Sequence, residues 1–145
     1  MSVKNYCRYG IGRTGPQNKE EQAGMVDFHM IIGLATLAAF IILTIVNGLR
    51  AFRGAEMSWA RGLSFAAAGL LLLQYVLGFS LLGSDHKITA THYILALVAI
   101  VPVGAEHMIA AQETDPQRSR RIAFICNLAT VIILVAVYEI GQRNA

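Results

Sequence analysis

The sequence predicts an all-α protein, a four-transmembrane-helix antiparallel bundle, and three observations carry that prediction. First, 55% of the 145 residues are hydrophobic and only 14% are charged, against about 25% charged in an ordinary soluble domain. Second, the apolar residues gather into four long stretches, each close to the ~20 residues that a helix needs to cross a bilayer. Third, the connections between these stretches are short, so consecutive helices are expected to be antiparallel neighbours. Such continuous runs do not suit a closed barrel, and a helix is the other backbone that satisfies its own hydrogen bonds in lipid. Four spans fill most of the length, so any chemistry is expected in or beside the bilayer and not in a separate soluble catalytic domain.

Residues 1–24 read as a polar, Gly-rich N-terminal tail, and residues 25–145 as the four-helix domain. The tail lacks the apolar run of roughly 7 to 15 residues that a signal peptide places after its positive start, so no cleavage is expected. Gly10, Gly12 and Gly15 match the G-x-G-x-x-G pattern, which needs a strand before it and a helix directly after it to aim amides at a pyrophosphate. Only a short polar segment precedes Gly10, and Pro16 follows Gly15, so neither flank is expected and the dinucleotide reading is set aside.

The first predicted span runs from about Met25 to Leu49, the second from about Ala60 to Leu82, the third from about Ile88 to Ala111 and the fourth from about Ile122 to Ile140. The connections are Arg50 to Trp59, Gly83 to Lys87 and Gln112 to Arg121. Spans one and three then run parallel across the bundle diagonal. Orientation follows from Lys and Arg near the helix ends. The first and third connections with their flanks hold Arg50, Arg53, Arg61, Arg118, Arg120 and Arg121, whereas Lys87 and Arg143 stand at the other end. Lys4, Arg8, Arg13 and Lys19 in the tail oppose that bias, but Glu20, Glu21 and Asp27 lie close to the helix. The expectation is both Arg-rich connections inside and both termini outside. The twelve Lys and Arg are scattered over tails and loops, which excludes a nucleic-acid-binding face.

Three of the four histidines, His29, His92 and His107, fall within predicted spans. Ionisable side chains there are expensive and usually face the bundle interior. His29 and His92 each stand about four residues into parallel spans, so at ~1.5 Å rise per residue their imidazoles lie at one level near one membrane face. Two facing imidazoles at equal depth suit the axial positions of a single haem iron in a bundle interior. Interhelical hydrogen bonding or a proton path is the competing use of the same pair. Gly33 and Ala96 follow the two histidines by four residues, and Gly78 follows Gln74 by four. Small side chains in that register would let a flat macrocycle approach, although membrane helices also use them for ordinary packing. The candidate cofactor-binding set is therefore His29, His92, Gly33, Ala96, Gln74 and Gly78, with His29 and His92 as metal ligands.

His107 comes fifteen residues after His92, about 60° round and ~22 Å along a helix. Asn47, not a histidine, stands in register with His29 at that depth, so a second bis-histidine site is unsupported, and His107 is expected to snorkel to the interface. Pro102 should bend the helix between the two histidines. His86 reads as a loop residue near the cofactor edge, and Gln74 and Asn127 as core polar groups needing partners. Tyr138 and Glu139 read as interfacial. Cys7 and Cys126 have no metal-ligand, redox or haem-attachment spacing and read as free thiols. No Ser-His-Asp set, carboxylate pair or Cys/His cluster can be assembled, which excludes hydrolase readings.

The stretch LLLLQYVLGFSLLGSDHKITATHYILALVAI, residues Leu70 to Ile100, and His29 within DFHMIIGLATLAAF together resemble one half of the haem A synthase family. In that family each half is a four-helix bundle with axial histidines, with a Gln and a Leu-Gly late in one helix and a His early in the next. The resemblance covers about ninety residues and implies His29 and His92 as a haem pair on the outer side. The family also carries a Glu-x-x-His-Arg pattern, and here Val26 and Met30 stand at the Glu and Arg positions, so synthase activity is not implied.

The first functional reading is an integral membrane b-type cytochrome. It would be an electron-transfer subunit, not a self-contained enzyme, holding one haem b within a larger membrane complex, in a bacterial inner membrane. The alternative is a non-redox scaffold, or a subunit binding chlorophyll-type pigment, in a respiratory or photosynthetic complex. A third class, a small transporter or proton channel, would use His29, His92, Glu106 and His107.

Overall fold

The computed structural model describes residues 16–83, 89–110 and 112–143. Cys7, the tail glycines and His86 lie outside the described residues. Among the described residues there are helices and no strands, and four helical spans are long and apolar enough to cross a membrane.

α1 runs Pro16–Arg53 (38 residues), ~57 Å at 1.5 Å per residue and nearly twice a hydrocarbon core. The helix thus begins within the polar stretch ahead of Met25, and directly after Gly15, where no helix was expected. Pro16 fits the first helical position, where its missing N–H is no loss, and QNKEEQA continues with good helix formers. Gly54 ends the helix in the left-handed conformation, φ 68°, as C-terminal glycines commonly do. α2 runs Ala60–Ser80 and tightens into a 3-10 turn at Leu81–Gly83.

The third span is broken. α3 covers Ala90–Val98, α4 covers Ile100–Ala105, and a π-helical turn follows at Glu106–Ala110. Pro102 explains the break at Ala99, because it has no N–H to offer the carbonyl of Val98 four residues earlier. α5 runs Pro116–Arg143. Asp115 caps it by accepting the Gln117 N–H at 2.9 Å, with proline again at the first helical position.

α1 packs closely against α2 and α5, and α5 packs along the whole third span. Spans one and three are therefore diagonal. Spans two and three meet through side chains: Tyr75 donates its hydroxyl to the Ala96 carbonyl, Ser64 bonds Glu106, and Phe65 stacks on His107.

Polarity is distributed as a bilayer demands. Ile31, Ile45, Leu72, Val76, Val101 and Ile132 are each at least 59% exposed, whereas Thr36, Asn47, Ser64, Glu106, Asn127 and Thr130 are buried. Thr36 and Thr130 return their hydroxyls to carbonyls four residues back, at 2.7 and 2.9 Å, which satisfies them without water. Phe40, Leu43, Ala67, Leu71 and Val103 form an apolar layer halfway along the bundle. That layer separates the histidine end from the Arg-rich end.

Candidate cofactor site

His29 on α1 and His92 on α3 lie at the same end of the bundle and line one cavity, with Gly33, Gln74, Gly78 and Ala96 also on its wall. The cavity volume is about 170 Å³. Apart from these polar groups its wall is mainly aliphatic and aromatic, the usual character of a site for a large flat ligand with few polar attachments. All six residues chosen from helical register are thus brought together.

The two imidazoles are held differently. His92 Nδ1 donates to the Val137 carbonyl on α5 at 3.1 Å, which fixes the proton on Nδ1 and leaves Nε2 as a lone-pair donor. An imidazole tied to a backbone carbonyl in this way is the usual support of a metal-ligating histidine. His29 Nε2 instead lies 3.1 Å from Gln74 Nε2. With that amide orientation Gln74 donates to the ring, and both His29 Nδ1 and Gln74 Oε1 remain enclosed without a partner.

The glycines have a specific packing role. A Cβ on Gly78 would stand 3.3 Å from His29 Cε1, and a Cβ on Gly33 would stand 2.9 Å from Gln74 Nε2. α1 and α2 therefore interlock reciprocally: each sets its polar side chain over the glycine that the other carries four residues from its own polar residue. On the far side, a Cβ on Gly141 would stand 3.3 Å from His92 Cε1. These glycines border the cavity, but the room they leave is first occupied by the histidine and glutamine side chains. A macrocycle would therefore meet the histidine and glutamine side chains before it met the glycines.

Sequence reasoning missed Val137, Gly141 and Tyr75. Gly141 follows Val137 by four residues, the same small-residue register that marked Gly33, Ala96 and Gly78. Val137 acts through its carbonyl, which every residue possesses, so nothing in its identity marks it.

The remaining polar residues fall elsewhere. Tyr138 is 38% exposed at the cavity wall. His107 does not snorkel as expected: its ring lies 4.8 Å from the Phe65 ring, 29° from parallel, and its Nε2 is enclosed without a partner. The ~60° of helical rotation from His92 already turns His107 towards the bundle, and Phe65 on α2 offers its ring a stacking partner there. Asn47 accepts from Arg50 at 2.9 Å. Among the described residues no group of three or more His, Cys, Asp and Glu side chains is arranged to hold a metal ion. A haem iron asks the protein for only two axial donors.

Neither a family description, nor a curated protein, nor a solved structure matches this chain. The functional reading accordingly rests on the site.

Proposed function

We propose that the chain is an integral membrane b-type cytochrome, with His29 and His92 as the axial pair of one haem b, working as an electron-transfer subunit of a larger membrane complex. The observation that carries the reading is the state of His92: Nδ1 is held by the Val137 carbonyl while Nε2 is left for a ligand, on the wall of a cavity that also contains His29. The donor set fits the group, since both are imidazoles and the surrounding wall is mostly apolar. Bound there, haem would supply one-electron ferric/ferrous chemistry at a potential tuned by its axial ligands and burial.

The chain's own residues have separable tasks. Val137 orients His92 and Gly141 lets that ring approach α5. For His29 to present Nε2, Gln74 must release it, and the unpartnered Gln74 Oε1 marks an amide that gains by rotating to a donor. In this reading the site lies near the outer face, both termini are outside, and the Arg-rich connections face the cytoplasm of a bacterial cell.

The inequality of the two histidines favours a second reading, a pigment-binding or scaffold subunit. Chlorophyll-type magnesium takes one axial protein ligand, His92 is poised as that ligand, and His29 is already engaged by Gln74. Purification in detergent, oxidised and dithionite-reduced spectra, and pyridine haemochrome analysis separate the readings. The cytochrome requires reduced b-type bands that are lost in both His29→Ala and His92→Ala. A chlorin lost only in His92→Ala would establish the second, and no pigment at all would leave a scaffold.

A further inference from the structure

The Arg-rich end holds a second polar cluster that the cofactor reading does not use. Glu106, opening the π-helical turn, is 8% exposed. Ser64 on α2 donates to its Oε1 at 2.8 Å, and its Oε2 is enclosed without a partner. Asn127 is 0% exposed. It donates its amide to the Ala123 carbonyl at 2.8 Å, which leaves Oδ1 without a partner. Two enclosed oxygens on neighbouring elements thus both need a hydrogen, and neither has one.

Leaving such acceptors unserved, or burying a bare carboxylate beside them, is costly. A proton on Glu106 Oε2 removes the larger of these costs, because the buried carboxyl is then neutral. The titratable groups facing Glu106 are His107 on its own turn, Arg50 on α1 and Cys126 on α5. Arg50 donates to Asn47 at 2.9 Å, and among the described residues no ion pair joins it to Glu106. A π-helical turn inside a span often accompanies a functional side chain, and here it begins at the residue in question.

We propose that Glu106 is a buried proton-binding site, its carboxyl taking up and releasing one proton in exchange with water at the Arg-rich end. Only the Glu106 O–H bond forms and breaks, and the proton comes from and returns to that water. The site is separated from the histidine cavity by the apolar layer around Phe40 and Leu43, and it does not rest on the haem reading.

Infrared spectroscopy of the full chain in liposomes at neutral pH tests the proposal. The expected result is a carbonyl stretch of a protonated carboxyl that moves on transfer to D₂O, is absent in Glu106→Gln, and shifts in Ser64→Ala, which keeps the carboxyl but removes its hydrogen-bond donor. A wild-type spectrum without the band, a band that survives in Glu106→Gln, or a band unmoved in Ser64→Ala would overturn it. Loss of the band on adding sodium at constant pH would also overturn it, by making the cluster a metal-cation site.

Discussion

At the scale of single residues, two histidines of the same type receive different supports. A backbone carbonyl cannot be mutated away and fixes one tautomer, so His92 keeps an unprotonated Nε2; an amide can rotate, so the state of His29 Nε2 is conditional. His92→Ala should therefore abolish the low-spin spectrum of the proposed cytochrome, while His107→Ala, beyond the apolar layer, should leave it nearly intact. Gln74→Leu removes the competitor for His29 Nε2. Retained haem with a lower melting temperature of the haem-free protein is expected, and loss of haem would mean that Gln74 itself holds the cofactor. Helical register was enough to place Gly33 on the face of His29 and Ala96 on the face of His92, since i and i+4 share a face whatever the tertiary structure. Register could not reveal that Gln74 binds His29, because the contact depends on how two helices slide against each other.

At the scale of elements, all four spans were legible because lipid allows so few alternatives to a long apolar helix. Their ends were less so: α1 extends through polar residues whose helix propensity hydropathy does not register. Asp115 followed by Pro116 is a start signal readable in the sequence alone. Asp115→Ala should lower stability by about 1 kcal/mol through loss of the cap, measured by thermal unfolding in detergent. The third span shows where legibility ends. Pro102 announces a bend, but not the π-helical turn downstream, and nothing in the sequence shows that Phe65 stacks on His107. Pro102→Ala would supply the missing N–H to Val98, and slower amide exchange near Ala99 is the outcome to look for; unchanged exchange would assign the break to another cause.

At the scale of the whole molecule, aliphatic side chains cover the outside, and amides, hydroxyls and a carboxyl lie within. Antiparallel packing places Ser58 and Arg143 at opposite ends. In a background lacking Cys7 and Cys126, a membrane-impermeant maleimide should label Arg143→Cys in intact cells and Ser58→Cys only after lysis; the reverse pattern would invert the proposed topology. The contact between His92 and the Val137 carbonyl has a further consequence for biogenesis. A ribosome makes α5 after the other three spans, and α5 carries both that carbonyl and Gly141. His92 emerges with its ring unoriented and waits for a helix still to be synthesised. Any cofactor seated on it must arrive after the last span has been inserted, so a nascent chain halted before α5 should associate as membrane helices yet capture nothing.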